Sequence, residues 1–326
     1  MYFSFVRREF SAMAKSLLTP AIASVGLVAI AASLLQGGGL AASLVLWLAV
    51  NVLITASFRF VTLIGELNFA VAGFVGLGAY MAGVGSVTFN WPFLLTLVAS
   101  AVFAGLISLV FGYITLRAKG PYFMLIGFAF TEVIRMIYTK TEAIGGSSGM
   151  VGIFPPAYLD GYLPALVVAV VLALLWALWF IEKSDFGKVL VAIRNNDAIV
   201  ETVGINVHLT KVLCLGVSSF VAGIAGALLA YSNNVISPGD FGFLLAVYAL
   251  AYLKVGGESH ILGAVVGAIV LTLLGQFALS FGPYEHIFYG AAIVISVLLM
   301  PGGLIGLGRH LNKRAPGLTA AAKPHA

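Results

Sequence analysis

Within an apolar stretch, Glu132 and Arg135 stand three residues apart in FAFTEVIRM, Phe128–Met136. On a helix that spacing places both side chains on one face, close enough to neutralise one another. A charge inside an apolar span costs about 2.5–3.5 kcal/mol unless it is paired or hydrated. Two readings stay open: an ion pair that fixes a helix against its neighbours, and a gate or solute contact. Glu66 and Asn68, shortly after Arg59, form a second polar locus, with a capping or interface role as the alternative to a functional one.

Catalytic patterns do not survive inspection. Phe186–Leu190 contains Gly187-Lys188 without the earlier glycine or the following hydroxyl of a phosphate loop. H-E-x-x-H and G-x-S-x-G are absent, and His208, His260, His286, His310 and His325 are too dispersed to suggest a metal site. Neither catalysis nor a cofactor is expected. The single cysteine, Cys214, forbids an intrachain disulfide and lies in an apolar segment, where packing is its natural role.

The elements that position these residues follow from composition. The chain is 61% hydrophobic and 9% charged with a mean hydropathy of +1.08, whereas soluble domains carry about 25% charged residues. Windows of about 20 apolar residues, the length a bilayer demands, fall at 17–35, 41–58, 64–86, 92–116, 121–138, 161–181, 212–231, 241–255, 261–281 and 284–300. Runs such as LPALVVAVVLALLWALWF do not alternate as barrel strands would. The fold class is therefore an all-α polytopic membrane protein of about ten transmembrane helices. Segment 241–255 is short, and 64–86 holds Glu66, Asn68 and six glycines, so either is a candidate for a broken or re-entrant helix. The first segment follows a long lead containing Glu9 and exceeds a signal peptide's apolar core, so it reads as a retained helix. A transmembrane domain over 1–308 and a disordered Ala-, Pro- and Lys-rich tail over 309–326 complete the division.

Charge placement orients the chain. With both termini cytoplasmic, ten crossings leave all but Arg135 and Lys140 of the 17 Lys and Arg on the inner side, as the positive-inside rule requires. The net charge of +5 is thus spread over inner loops, which fits contact with anionic lipid and gives no sign of nucleic-acid binding. Many of the 38 glycines lie within predicted helices at spacings of three and four, the pattern that lets helix backbones approach closely in a bilayer.

The longest polar interruption is the loop 182–207. Ser184 or Asp185 is placed to cap a helix starting at Phe186, Arg194, Asp197 and Glu201 follow at spacings of three and four as a charged stripe, and Gly204 ends it. A solvated helix lying on lipid headgroups is the plain alternative.

Four stretches in collinear order carry a resemblance: RAKGPYFMLIGFAFTEVIRMIY within Leu116–Thr139, EAIGGSSGMVGI within Thr141–Phe154, DFGKVLVAIRNNDAIVETVGINV within Ser184–His208, and VISPGDFGFLLAV within Asn234–Tyr248. Together they resemble the permease subunits of branched-chain amino acid ABC importers, the LivM-like group, from about Leu63 to Leu304. The resemblance implies a permease partnered by a second homologous permease, two ATPase subunits and a periplasmic substrate-binding protein in a bacterial inner membrane. It implies that 182–207 is the coupling element, with Gly187, Arg194, Asp197, Glu201 and Gly204 as the residues that meet the ATPase, and that ATP hydrolysis resides on a separate subunit. The sequence departs from the family's pattern at Asn68–Ala72, at Ser147 and Ser148, and at Glu258, Ser259 and His260, where the family has apolar and small residues. The solute is accordingly a branched-chain amino acid or a related small polar molecule such as an amide, urea or an organic acid. A stand-alone secondary transporter or channel is the alternative, for which Glu66, Glu132 and Arg135 are a thin supply of coupling groups.

Overall fold

The computed structural model describes residues 39–156, 159, 161–299 and 302–306. The expected first span at 17–35 and the tail from 309 lie outside the described residues. Within them the chain forms α1 (Leu40–Thr62), α2 (Val71–Gly83, prolonged by the π-helical turn Val84–Thr88), α3 (Phe93–Thr115), α4 (Pro121–Lys140), α5 (Leu163–Lys183), α6 (Asp185–Asn195), α7 (Asp197–Thr202), α8 (Val207–Asn233), α9 (Phe243–Gly256), α10 (Ile261–Ala278) and α11 (Glu285–Leu299).

Seven of these, namely α1, extended α2, α3, α4, α5, α8 and α10 with its 3₁₀ continuation, are long and apolar enough to cross a membrane. The chain is an all-α polytopic membrane protein. Proline sets several starts, at Pro92 before α3, Pro121 at the first residue of α4 and Pro164 early in α5, positions where its missing N–H costs nothing.

The expected 64–86 span is not continuous. The chain leaves α1, turns through Gly65 at φ +82° and resumes helix only at Val71, so Glu66 and Asn68 precede the helix instead of riding in it. Around 241–255 the expected short helix is α9, which starts after Gly242 and stops at Gly257, whose φ of +107° suits glycine alone.

The centre of the bundle is α8, which packs along α1, α2 and α3. Small residues make this possible: a Cβ on Gly226 would overlap the Val75 carbonyl of α2, and one on Gly223 would come within 2.6 Å of the Ser100 carbonyl of α3. Strands β1 (Met150–Val151) and β2 (Val235–Ile236) pair antiparallel, Met150 opposite Ile236, and tie the loop after α4 to the loop after α8. The segments 63–70, 116–120, 184–206 (with α6 and α7) and 257–260 gather at the other end, where most of the described charges meet.

Candidate functional site

That basic end is a lattice of ion pairs. Arg59, in the last turn of α1 and 2% exposed, donates from Nη1 to Glu182 Oε2 at 2.8 Å and from Nη2 to Oε1 at 2.9 Å, and its Nε donates to the Glu258 carbonyl at 3.1 Å. The two-point geometry is what a nearly buried guanidinium needs to offset its lost hydration. Glu258 sits in the α9–α10 turn; its carboxylate pairs with Lys254, and Arg194 Nη2 lies 3.7 Å from it. Asp197 accepts from Lys119 Nζ at 2.6 Å and from buried Lys211 Nζ at 3.0 Å. Burial pushes the Asp197 carboxyl up, but its two lysine partners outweigh this and hold it below the ordinary range. Glu66 accepts the Gly120 N–H at 2.8 Å, and burial keeps its carboxyl above the ordinary range in spite of that bond.

Seated on this lattice are α6 and α7. Ser184 caps α6 by accepting the Gly187 N–H at 3.5 Å, and the chain turns so sharply from α5 that a Cβ on Gly187 would overlap the Glu182 carbonyl. Gly187 is thus a corner residue. The expected single helix with a charged stripe is corrected here: α6 stops at Asn195, and the extended Asn196 caps a second helix by accepting the N–H groups of Ala198 and Ile199. The break rotates Asp197 inward onto its lysines, so Arg194, Asp197 and Glu201 do not share one solvent face. Glu201 alone of the three faces solvent without an ion pair among the described residues. Gly204, at φ +84°, ends the element as expected of a helix stop.

Leu190, Ile193 and Val200 bury the inner face of the pair, while Val191, Ile199 and Val203 are 42%, 62% and 75% exposed. Those three exposed apolar residues were not among the sequence-derived candidates. Their signal was present, since the segment carries more valine and isoleucine than one buried helix stripe can use.

The profile of the family described as branched-chain amino acid transport system, permease component, matches residues 40–297. The chain belongs to this family. It is 23% identical over 297 residues to the high-affinity branched-chain amino acid transport permease LivM of Escherichia coli, covering 82% of this chain and 68% of that one. The ribose import permease RbsC of Haemophilus influenzae is 24% identical, covering 77% and 81%, and the galactose/methyl galactoside import permease MglC of Escherichia coli is 30% identical, covering 45% and 44%. Among solved structures, PsaBC of Streptococcus pneumoniae in complex with Fab aligns with a TM-score of 0.39 at 16% identity over 78% of this chain and 89% of that one. The protein is a permease subunit of an ABC importer and a multi-pass protein of the inner membrane, from a family whose members work in general with ATPase and binding-protein partners.

In this permease Glu132 and Arg135 lie on α4, and Asn68 lies in the break packed beside it. Arg135 Nε donates to Glu132 Oε2 at 2.8 Å, so the expected pair forms, on side chains 39% and 30% exposed. Of the seven long helices α4 is the least apolar and also the least covered, with 22% of its span buried against 72% for α8. Lipid favours the reverse arrangement, in which the least apolar helix is the best covered. Against the covered side of α4 lies the break before α2: Thr131 Oγ1 donates to the Phe69 carbonyl at 3.1 Å, and Phe69 stacks on Phe243 of α9 at 5.6 Å. Phe243 in turn meets Phe128 of α4 edge-on at 4.9 Å. Next to this aromatic cluster, Asn68 is fully buried with neither amide atom hydrogen-bonded.

Proposed function

We propose that this permease is one half of a translocation unit, paired with a second homologous permease and driven by two ATPase subunits, one of which docks on α6–α7. ATP hydrolysis belongs to those subunits. The observation that carries the reading is the α6–α7 pair itself: a polar-anchored element at the basic end that offers Val191, Ile199 and Val203 to solvent. Apolar side chains of this size, set among charges, make a docking face for a protein groove. The basic end is then cytoplasmic and the β1–β2 end periplasmic, where a binding protein delivers the solute.

The uncovered face of α4, with Glu132 and Arg135, is read as the side turned to the partner permease and the pathway between them. Closure of the ATPases would shift α6–α7, and the bundle would switch as a rigid body between outward and inward access. The solute is a branched-chain amino acid or a related small polar molecule; LivM supports the former, while RbsC and MglC are permeases for sugars.

The test is introduction of a charge on the docking face. Ile199→Asp or Val203→Asp should insert normally, because surface substitutions shift stability by about 0.5 kcal/mol or less. Each should lower ATPase co-purification about tenfold and abolish uptake. Full association and full uptake by both variants would overturn the reading.

A further inference from the structure

We propose that Glu258 is a positioning residue for transport, linking the α6–α7 element to α9 and through α9 to the aromatic cluster beside α4. The inference rests on the reading of α6–α7 as the docking element. Three observations carry it.

The first is the pattern of bonds at Glu258. Its carbonyl is held by Arg59, which also holds Glu182 at the end of α5; its carboxylate is shared between Lys254 of α9 and Arg194 of α6. The side chain therefore touches the moving element and the membrane bundle together. The 3.7 Å contact between partly exposed groups is weak, which suits a link that is made in one state and released in another. The fixed Arg59–Glu182 pair does not suit that role.

The second observation is that the turn bearing Glu258 cannot move by itself. A Cβ on Gly263 would overlap the Gly257 carbonyl, one on Gly267 the Tyr252 carbonyl, and one on Gly257 would lie 2.9 Å from the Gly302 carbonyl. Backbone-to-backbone packing of this closeness joins the end of α9, the start of α10 and the 302–303 turn into one body. A pull on Glu258 is delivered to α9 as a whole.

The third is what α9 reaches. Its 14 residues form a rod of about 21 Å, and its far end places Phe243 against Phe69 and Phe128. Along its length it also lines a cleft of about 360 Å³ with Asn51, Asp240, Tyr248 and Tyr252. A small tilt of α9 would change the aromatic packing and the cleft at once.

The experiment uses proteoliposomes holding the whole transporter, with uptake and ATP hydrolysis measured side by side. Glu258→Gln should reach normal membrane levels, co-purify with the ATPase like wild type, keep basal hydrolysis within about twofold, and lose uptake about tenfold. Arg194→Gln should lose uptake similarly, and the double variant should be no worse than either single one, since both remove one link. Glu258→Asp should recover part of the uptake. Wild-type uptake by Glu258→Gln, multiplicative losses in the double variant, or loss of ATPase association by Glu258→Gln would each overturn the proposal. If Glu258→Gln fails to accumulate, Arg194→Gln decides: full uptake there sinks the link. Failure of the wild-type protein to hold any ATPase would instead sink the docking reading beneath it.

Discussion

Arg59 and Glu182 join the last turn of α1 to the last turn of α5 through two parallel hydrogen bonds of 2.8 and 2.9 Å. Because α6 begins two residues beyond Lys183, this pair fixes the platform from which the docking element leaves the bundle. Removing one partner of such a pair leaves a desolvated charge and costs about 3–5 kcal/mol. Arg59→Met should therefore sharply lower the membrane level and the thermal unfolding temperature in detergent. Arg59→Met with Glu182→Leu should recover a large part of both, and no recovery would mean that the guanidinium's bond to the Glu258 carbonyl matters more than the ion pair.

Glu132 and Arg135 are the next case. Glu132→Gln leaves Arg135 uncompensated at membrane depth, a change worth about 2.5–3.5 kcal/mol on insertion scales, and should reduce folded yield. Exchanging the two residues should restore part of it. Intact yield with abolished uptake would instead assign the pair to the transport path.

Asn68 makes a prediction of opposite sign for stability. A buried polar group without partners costs about 1–3 kcal/mol, so Asn68→Leu should leave the unfolding temperature unchanged or higher. If the amide at the break before α2 finds its partners in another state of the cycle, uptake should nevertheless fall. Unchanged uptake would show that the amide has no such role.

For Glu66 the prediction concerns pH. Its folded carboxyl lies above the ordinary 4.5 because burial outweighs the Gly120 N–H bond. A raised folded value means that its contribution is fully present below about pH 4.5 and is lost as pH rises through the folded value. Glu66→Gln keeps an acceptor for Gly120 and cannot ionise. The unfolding temperature of the variant should thus exceed wild type at pH 8 and approach it near pH 4.5, and equal curves at both values would contradict the burial argument.

Much of this was legible in the residues, and the exceptions have physical causes. Hydropathy located the long spans because a helix in lipid has to be apolar for about 20 residues. The i, i+3 spacing of Glu132 and Arg135 foretold their bond for the same local reason. The break at Glu66–Asn68 was visible as a doubtful segment, yet its geometry depends on contacts with α4 and α9 far away in sequence. Periodicity failed at Asn196, where an asparagine side chain caps a new helix and turns Asp197 from solvent to Lys211. Glu258 stood out only as a departure from the family's pattern; the meeting of Arg59, Arg194 and Lys254 around it is a product of the fold.

The most direct measurement of the central claim is site-specific photocrosslinking of the assembled transporter, with the crosslinker at Ile199 and, in a separate sample, at Ser147. The account predicts that position 199 joins the ATPase subunit and never the binding protein, and that position 147, at the β1–β2 end, never joins the ATPase. An ATPase adduct from position 147, or none from position 199, would contradict it.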